Sequence, residues 1–195
     1  MQVERIMRLA MVAALGILTA GAALAQPVTG REAKKMLFPP AKAEVEILPV
    51  AFLSENDRAL LRMVVSEQPY YGAIAVSPDE GLASEATIAA ANHHTTEAAA
   101  RAALAACEEK RKGRAPCAIV GFVRPKGWKS RPLSLSSDAT EGFRADYGTR
   151  GPRALAVSPA TGRWGIGAGA GAGEAALAAC AKAGGAGDCV LAVAD

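Results

Sequence analysis

Three blocks of this 195-residue chain occur twice in the same order, each time around a pair of cysteines, and no other feature restricts the fold as much. Ala73-Ile74-Ala75-Val76-Ser77-Pro78-Asp79-Glu80-Gly81 recurs 81 residues later as Ala154-Leu155-Ala156-Val157-Ser158-Pro159-Ala160-Thr161-Gly162. Ala102 to Cys107 returns as Ala175 to Cys180, and Cys117-Ala118-Ile119-Val120 parallels Cys189-Val190-Leu191-Ala192. Ordered matches of this kind mark an internal duplication, so whatever one copy folds into the other must approximate.

The elements between the blocks also correspond. Val45 to Leu48 alternates as a strand does, and Ser54 caps a helix near Glu55 to Glu67 with Leu60, Leu61, Val64 and Val65 on one apolar face. In the second copy Leu133 and Leu135 alternate, then Asp138 and Glu141 form the pattern of a capping box that opens a helix to Tyr147, stopped by Gly148. Ser-Pro-x-x-Gly then makes a tight turn in both copies, with Leu82 to Ala90 and Arg163 to Ala168 as the returning arms. An alanine-rich helix follows, about Thr96 to Lys112 and about Glu174 to Ala183, and a closing strand, Cys117 to Val123 and Cys189 to Ala194. The order in each copy is βαββαβ, so the expected class is α+β with tandem ferredoxin-like repeats. The expected organisation is a leader at 1–25, an N-terminal segment at 26–43, repeat 1 at 44–125 and repeat 2 at 126–195. Spacing leaves open whether the copies share one sheet. Thr29 to Leu37 reads as a short exposed helix ended by Phe38-Pro39-Pro40.

Each copy places one cysteine at the end of its alanine-rich helix and the other at the start of the next strand. A helix returning antiparallel to that strand brings the two together, so Cys107–Cys117 and Cys180–Cys189 are the expected bridges among three possible pairings. Aromatic residues make up only 5% of the chain, and a core of small side chains gains little burial energy per residue, which makes covalent staples valuable. No close C-x-x-C pair exists, so neither a zinc site nor a redox dithiol is expected.

Disulfides imply an oxidising compartment, and the N-terminus supplies the address. Arg5 and Arg8 precede an apolar run from Leu9 to Leu24, and Ala23-Leu24-Ala25 offers the small residues a signal peptidase needs, so cleavage after Ala25 is expected. Loss of Arg5, Arg8 and Glu4 takes the net charge from +3 to near +2, too mild to argue for nucleic acid. No later stretch reaches the roughly 20 apolar residues that span a bilayer. The expected location is the periplasm or the exterior.

Candidate chemistry is sparse. His93 and His94 are the two histidines, adjacent to one another in an insertion of the first copy that reads as an exposed loop; if there is a site, it is expected there, between the copies and near the turn serines Ser77 and Ser158. Neither serine lies in G-x-S-x-G, and Ser-Pro is ordinary turn chemistry. Gly167 to Gly173 fits a G-x-G-x-x-A fingerprint, yet too little chain follows for a dinucleotide fold, so a flexible or closely packed turn is the better reading. Lys110-Arg111-Lys112-Gly113-Arg114 reads as a solvated helix end, and Trp128 and Trp164 as packing residues.

Gly72 to Gly81 with Cys107 and Cys117, and more closely Ala154 to Gly162 with Trp164-Gly165, Cys180 and Asp188-Cys189, resemble an uncharacterised bacterial exported domain. Its hallmark is W/Y-G-A-I-A-x-S-P-x-T-G, a tryptophan-glycine pair, A-L-x-x-C and D-C. The resemblance covers roughly 71–123 and 153–195, implies structural rather than catalytic motifs, and carries no activity. The first copy lacks the tryptophan-glycine pair. The whole chain, including Tyr70 to Ala75 and Ala89 to His94, is also similar to alphaproteobacterial exported proteins labelled 5-aminolevulinate synthase. Such a synthase is a longer pyridoxal-phosphate enzyme, and neither that length nor a cofactor lysine setting is found here. The function expected is a non-catalytic binding or envelope-structural role with a protein or small-molecule partner and no cofactor or metal. The alternative is an enzyme or ligand binder with a site between the repeats at His93 and His94.

Overall fold

The computed structural model describes residues 26–195; the leader reading falls outside the described residues. These fold as α+β with five helices and two antiparallel sheets. The first half runs α1 (Gly30–Met36), β1 (Ala43–Ile47), α2 (Glu55–Val65), β2 (Gly72–Val76), β3 (Ile88–Ala90), α3 (Thr96–Lys110) and β4 (Ala118–Pro125). The second runs α4 (Ser137–Asp146), β5 (Arg153–Val157), β6 (Trp164–Ala168), α5 (Ala172–Lys182) and β7 (Val190–Ala194). The strand orders are β1-β4-β2-β3 and β6-β5-β7, so the halves build separate sheets.

The strands at the centre are two-faced, and the alternation in the sequence sets this up. In β2, Ala73 and Ala75 meet Ala99, Ala103 and Cys107 of α3, while Ile74 and Val76 point to the other side with Leu61 and Val65 of α2. In β5, Ala154 and Ala156 meet Ala172, Ala176 and Cys180 of α5, while Leu155 and Val157 pack with Ala139 and Phe143 of α4. Period-two alternation thus sorts small side chains to one face and large ones to the other. The consequence corrects the ferredoxin-like expectation: α2 and α3 lie on opposite faces of their sheet, because each face has its own size of partner.

On the small face the second half goes further. A Cβ added at Gly165 would come within 2.4 Å of the Cys180 nitrogen, and one at Gly167 within 2.1 Å of the Ala172 carbonyl oxygen. The backbone of α5 therefore lies directly on β6, and Gly169 and Gly171 then turn at positive φ into α5. Of the two expected forms of the glycine-alanine run, flexible or closely packed, the structure has the second, with its first residues in β6.

Both expected disulfides are present, Cys107–Cys117 and Cys180–Cys189, each with Cα atoms 6.2 Å apart. Each fastens an alanine-rich helix to the strand that follows it. In the chain-entropy account a loop of this size contributes about 3 kcal/mol.

Three sequence expectations are corrected on the large face. Leu133 and Leu135 are buried in the core of the second half but pair with no strand. The α4 N-cap is Ser136, whose hydroxyl accepts from the Ala139 amide, and Asp138 is turned to another use described below. The short N-terminal helix α1 is not an exposed appendage. Thr29 and Glu32 form its capping box, and Ala33 and Leu37 enter the core of the second half beside Phe143, Leu155 and Val193. Ahead of it Val28 bridges β7 in parallel, donating to the Ala192 carbonyl at 3.1 Å and accepting from the Ala194 amide at 3.0 Å. The Gly30 amide faces the Asp195 carboxylate at 3.2 and 3.3 Å, and Arg153 pairs with Asp195 at 3.0 Å. The missing strand of the second half is replaced in part by the beginning of the described chain.

Gly167→Ala is expected to lower the unfolding free energy by about 1–3 kcal/mol in urea titrations. Gly187→Ala, where nothing lies within 4 Å of the added methyl, should stay within about 0.5 kcal/mol of wild type. Replacing Cys180 and Cys189 together by alanine is expected to cost about 3 kcal/mol, and peptide mapping without reduction should recover Cys107–Cys117 as the remaining crosslink.

Candidate functional site

The candidate residues gather at the junction between the halves, and hydrogen bonding dictates how. Asn92 adopts φ 61, which asparagine tolerates better than most side chains, and its amide pairs reciprocally with Asp138 of α4. Asn92 Nδ2 donates to the Asp138 carboxylate at 2.6 Å, and the Asp138 amide donates to Asn92 Oδ1 at 3.2 Å. His93 pairs by backbone with Tyr71 in both directions, at 3.0 and 3.3 Å. Gly162, in the turn of the second half, closes over this segment: a Cβ there would lie 2.3 Å from the Asn92 carbonyl oxygen.

His94 is the pin of the joint. Its Nδ1 accepts from the Ser136 amide at 3.0 Å, which fixes the proton on Nε2, and Nε2 donates to the Arg163 carbonyl at 3.0 Å. Only 3% of the residue is exposed, and burial pushes the imidazole pKa down to about 4. His93 is also buried, its Nδ1 meets no hydrogen-bond partner, and burial lowers its pKa as well. The exposed loop expected for the two histidines is thus a buried one, because the second half's turn covers it.

The turn serines have structural neighbours. Both are fully buried. Ser158 Oγ donates to Asp188 at 2.5 Å and accepts from the Thr161 hydroxyl at 2.7 Å, and Asp188 also accepts from the Ala160 amide at 2.9 Å. The Ser158 hydroxyl first, and the Ala160 amide after it, hold the Asp188 pKa below the usual carboxylate range. The first half solves the same problem in reverse: Asp79 accepts from the amides of Arg114 and Ala115, and Glu80 from those of Lys112 and Gly113. In both halves a carboxylate ties the Ser-Pro turn to the loop closed by the disulfide. Ser77 Oγ has no hydrogen-bond partner, and neither serine is bonded to a histidine. The Asp188 carboxylate favours protonation of His94 only as a minor influence against burial, and both ring nitrogens of that histidine already serve backbone groups. A nucleophile activated by a base is not assembled here.

Of the other singled-out residues, Trp164 packs. Its indole lies against α4 where Gly142 leaves room, since a Cβ there would fall 2.0 Å from the ring. Trp128, expected to pack, is instead exposed at 39%, with the Arg124 guanidinium 5.0 Å from its ring. Arg111 pairs with Glu108 and donates to the Gly113 carbonyl at 2.7 Å, so the basic cluster knits its own loop. Among the described residues no group of three His, Cys, Asp or Glu is placed to hold a metal ion, and no helix is long and apolar enough to cross a membrane.

Beside the joint the halves leave a cleft of about 780 Å³. Its walls carry Leu133, Val157, Leu177, Val190 and Leu191, with His94, Thr95 and Arg101 contributed by the first half. Apart from His94, the sequence marks none of these as a site residue; Leu133, Val157, Leu177, Val190 and Leu191 enter there only as members of expected elements and repeated blocks. The one available signal is the uncharged run Val190 to Ala194 on a final strand. No family model, curated protein or solved structure matches the chain.

The unfolded chain protonates His94 near pH 6.5, whereas the folded protein holds it neutral to about pH 4. Its contribution to stability is therefore complete above about pH 6.5 and is lost as the pH falls towards about 4, on the order of 3 kcal/mol. Urea titrations across this range should show that slope in wild type and a clearly shallower one in His94→Asn, where His93 still contributes; parallel curves for the two proteins would contradict the assignment.

Proposed function

We propose that this is an exported, non-catalytic binding protein of the cell envelope, built by internal duplication, whose ligand sits in the cleft between the halves. One observation carries the reading: both His94 nitrogens and the Ser158 hydroxyl are engaged in structural hydrogen bonds, while the cleft beside them presents mainly apolar side chains. Pockets of about 300–1,000 Å³ lined mostly by apolar side chains are the usual form of a small-ligand site. Export is supported by the apolar run before Ala25 and by two disulfides, which persist in oxidising compartments. The duplication is supported by matching blocks of sequence and by two sheets with the same connection through hairpin, helix and returning strand. In this reading the joint is rigid framework, and recognition belongs to the cleft.

Fractionation of producing cells should place a chain shortened by residues 1–25 in the envelope fraction, with its thiols closed to alkylation until reduced. Native mass spectrometry of that material should show a non-covalent adduct that Leu177→Glu abolishes. A full-length cytoplasmic chain with reactive thiols would sink the export reading, and protein isolated without any adduct would sink the binding one.

A further inference from the structure

We infer that the cleft takes a slender amphipathic anion, an unbranched alkyl chain ending in a carboxylate, an assignment that rests on the binding reading above. The cleft straddles the outer edge of β7, so it has two apolar walls. Val190 with Leu133 and Val157 belong to the large-residue side, and Leu191 with Leu177 to the side of α5. Pro27 and Val28 flank it, because Val28 is fixed to the same edge by its two backbone hydrogen bonds. A space divided along a strand edge and walled mostly by aliphatic side chains, with Gln26, Thr95 and Ser134 as its few uncharged polar side chains besides His94, suits a narrow chain that is apolar over most of its length.

The charge at the cleft has one sign. No aspartate or glutamate lines it, and two arginines do. Arg131 is already committed, its guanidinium donating to the Met36 carbonyl and lying 3.8 Å from the centre of the Phe38 ring. Arg101, on the exposed side of α3, makes no ion pair among the described residues. His94 is neutral and adds nothing cationic. Arg101 is therefore the group free to meet an acidic terminus, and the apolar walls accept the rest of the molecule.

The test uses sodium octanoate, decanoate and dodecanoate below their micellar concentrations, with calorimetric titration of the intact protein. Affinity is expected to rise about fourfold per methylene, the equivalent of burying each one. Arg101→Glu should weaken dodecanoate at least about tenfold and leave dodecanol unchanged, and Leu177→Glu should abolish both. Should Leu177→Glu fail to fold, as circular dichroism would reveal, Arg101→Glu on the exposed helix surface still decides. Equal binding of dodecanoate and dodecyltrimethylammonium overturns the anionic assignment while leaving a cleft ligand intact. Absence of saturable binding by all three carboxylates, in protein whose envelope-isolated form carries an adduct, overturns the alkyl-chain assignment alone. Sedimentation with phosphatidylglycerol vesicles in place of binding to the free carboxylates would overturn it in favour of a membrane surface.

Discussion

The close seating of an alanine-rich helix on a strand stripped of large side chains is the constraint on which this molecule depends. Ala73 and Ala75 face the alanines of α3, and Ala154 and Ala156 those of α5; in the second half the approach is closest, where a Cβ at Gly165 or Gly167 would collide with the backbone of α5. Such contacts are dense in dispersion but poor in hydrophobic area removed from water. Covalent closure compensates at the same face: Cys107 and Cys180, the last helical residues buried there, are the ones bonded to the strands that follow.

Sending small residues to one face of each sheet concentrates Ile74, Val76, Leu155 and Val157 on the other, and that face needs a cover of its own. The first half covers it with α2. The second has only α4 and borrows α1, so the N-terminal segment folds onto the C-terminal strand rather than onto the half that follows it in sequence. Arg153, Asp195 and the Gly30 amide then lock beginning to end.

The histidines show how a pattern suggestive of chemistry can be spent on architecture. His94 offers one acceptor and one donor in the neutral form, and the Ser136 amide and the Arg163 carbonyl, both from the other half, need one of each. A buried imidazole that satisfies two backbone groups is a joint whose cost appears only on protonation. The cleft it borders is lined mainly by apolar side chains, and the proposed binding role rests on that lining.

Much of this was legible in the chain. Alternating Ala-Ile-Ala-Val and Ala-Leu-Ala-Val, the Ser-Pro turns, the Ser54 cap and the cysteine spacing are local, and local patterns determine strands, turns, helix starts and short crosslinks by themselves. Leu133-Ser134-Leu135 alternates equally well and forms no strand; its two leucines enter the core of the second half, so alternation there reports burial and not pairing. Asp138 and Glu141 have capping-box spacing, yet Asp138 is taken by Asn92, 46 residues away. The burial of His93 and His94, the placement of α1 and the cleft all arise where one half meets the other. Sequence alone determined the two-faced strands and their staples; the relation between the halves was decided only in three dimensions, since contacts between residues far apart in the chain follow from shape and free hydrogen-bonding groups that no local pattern encodes.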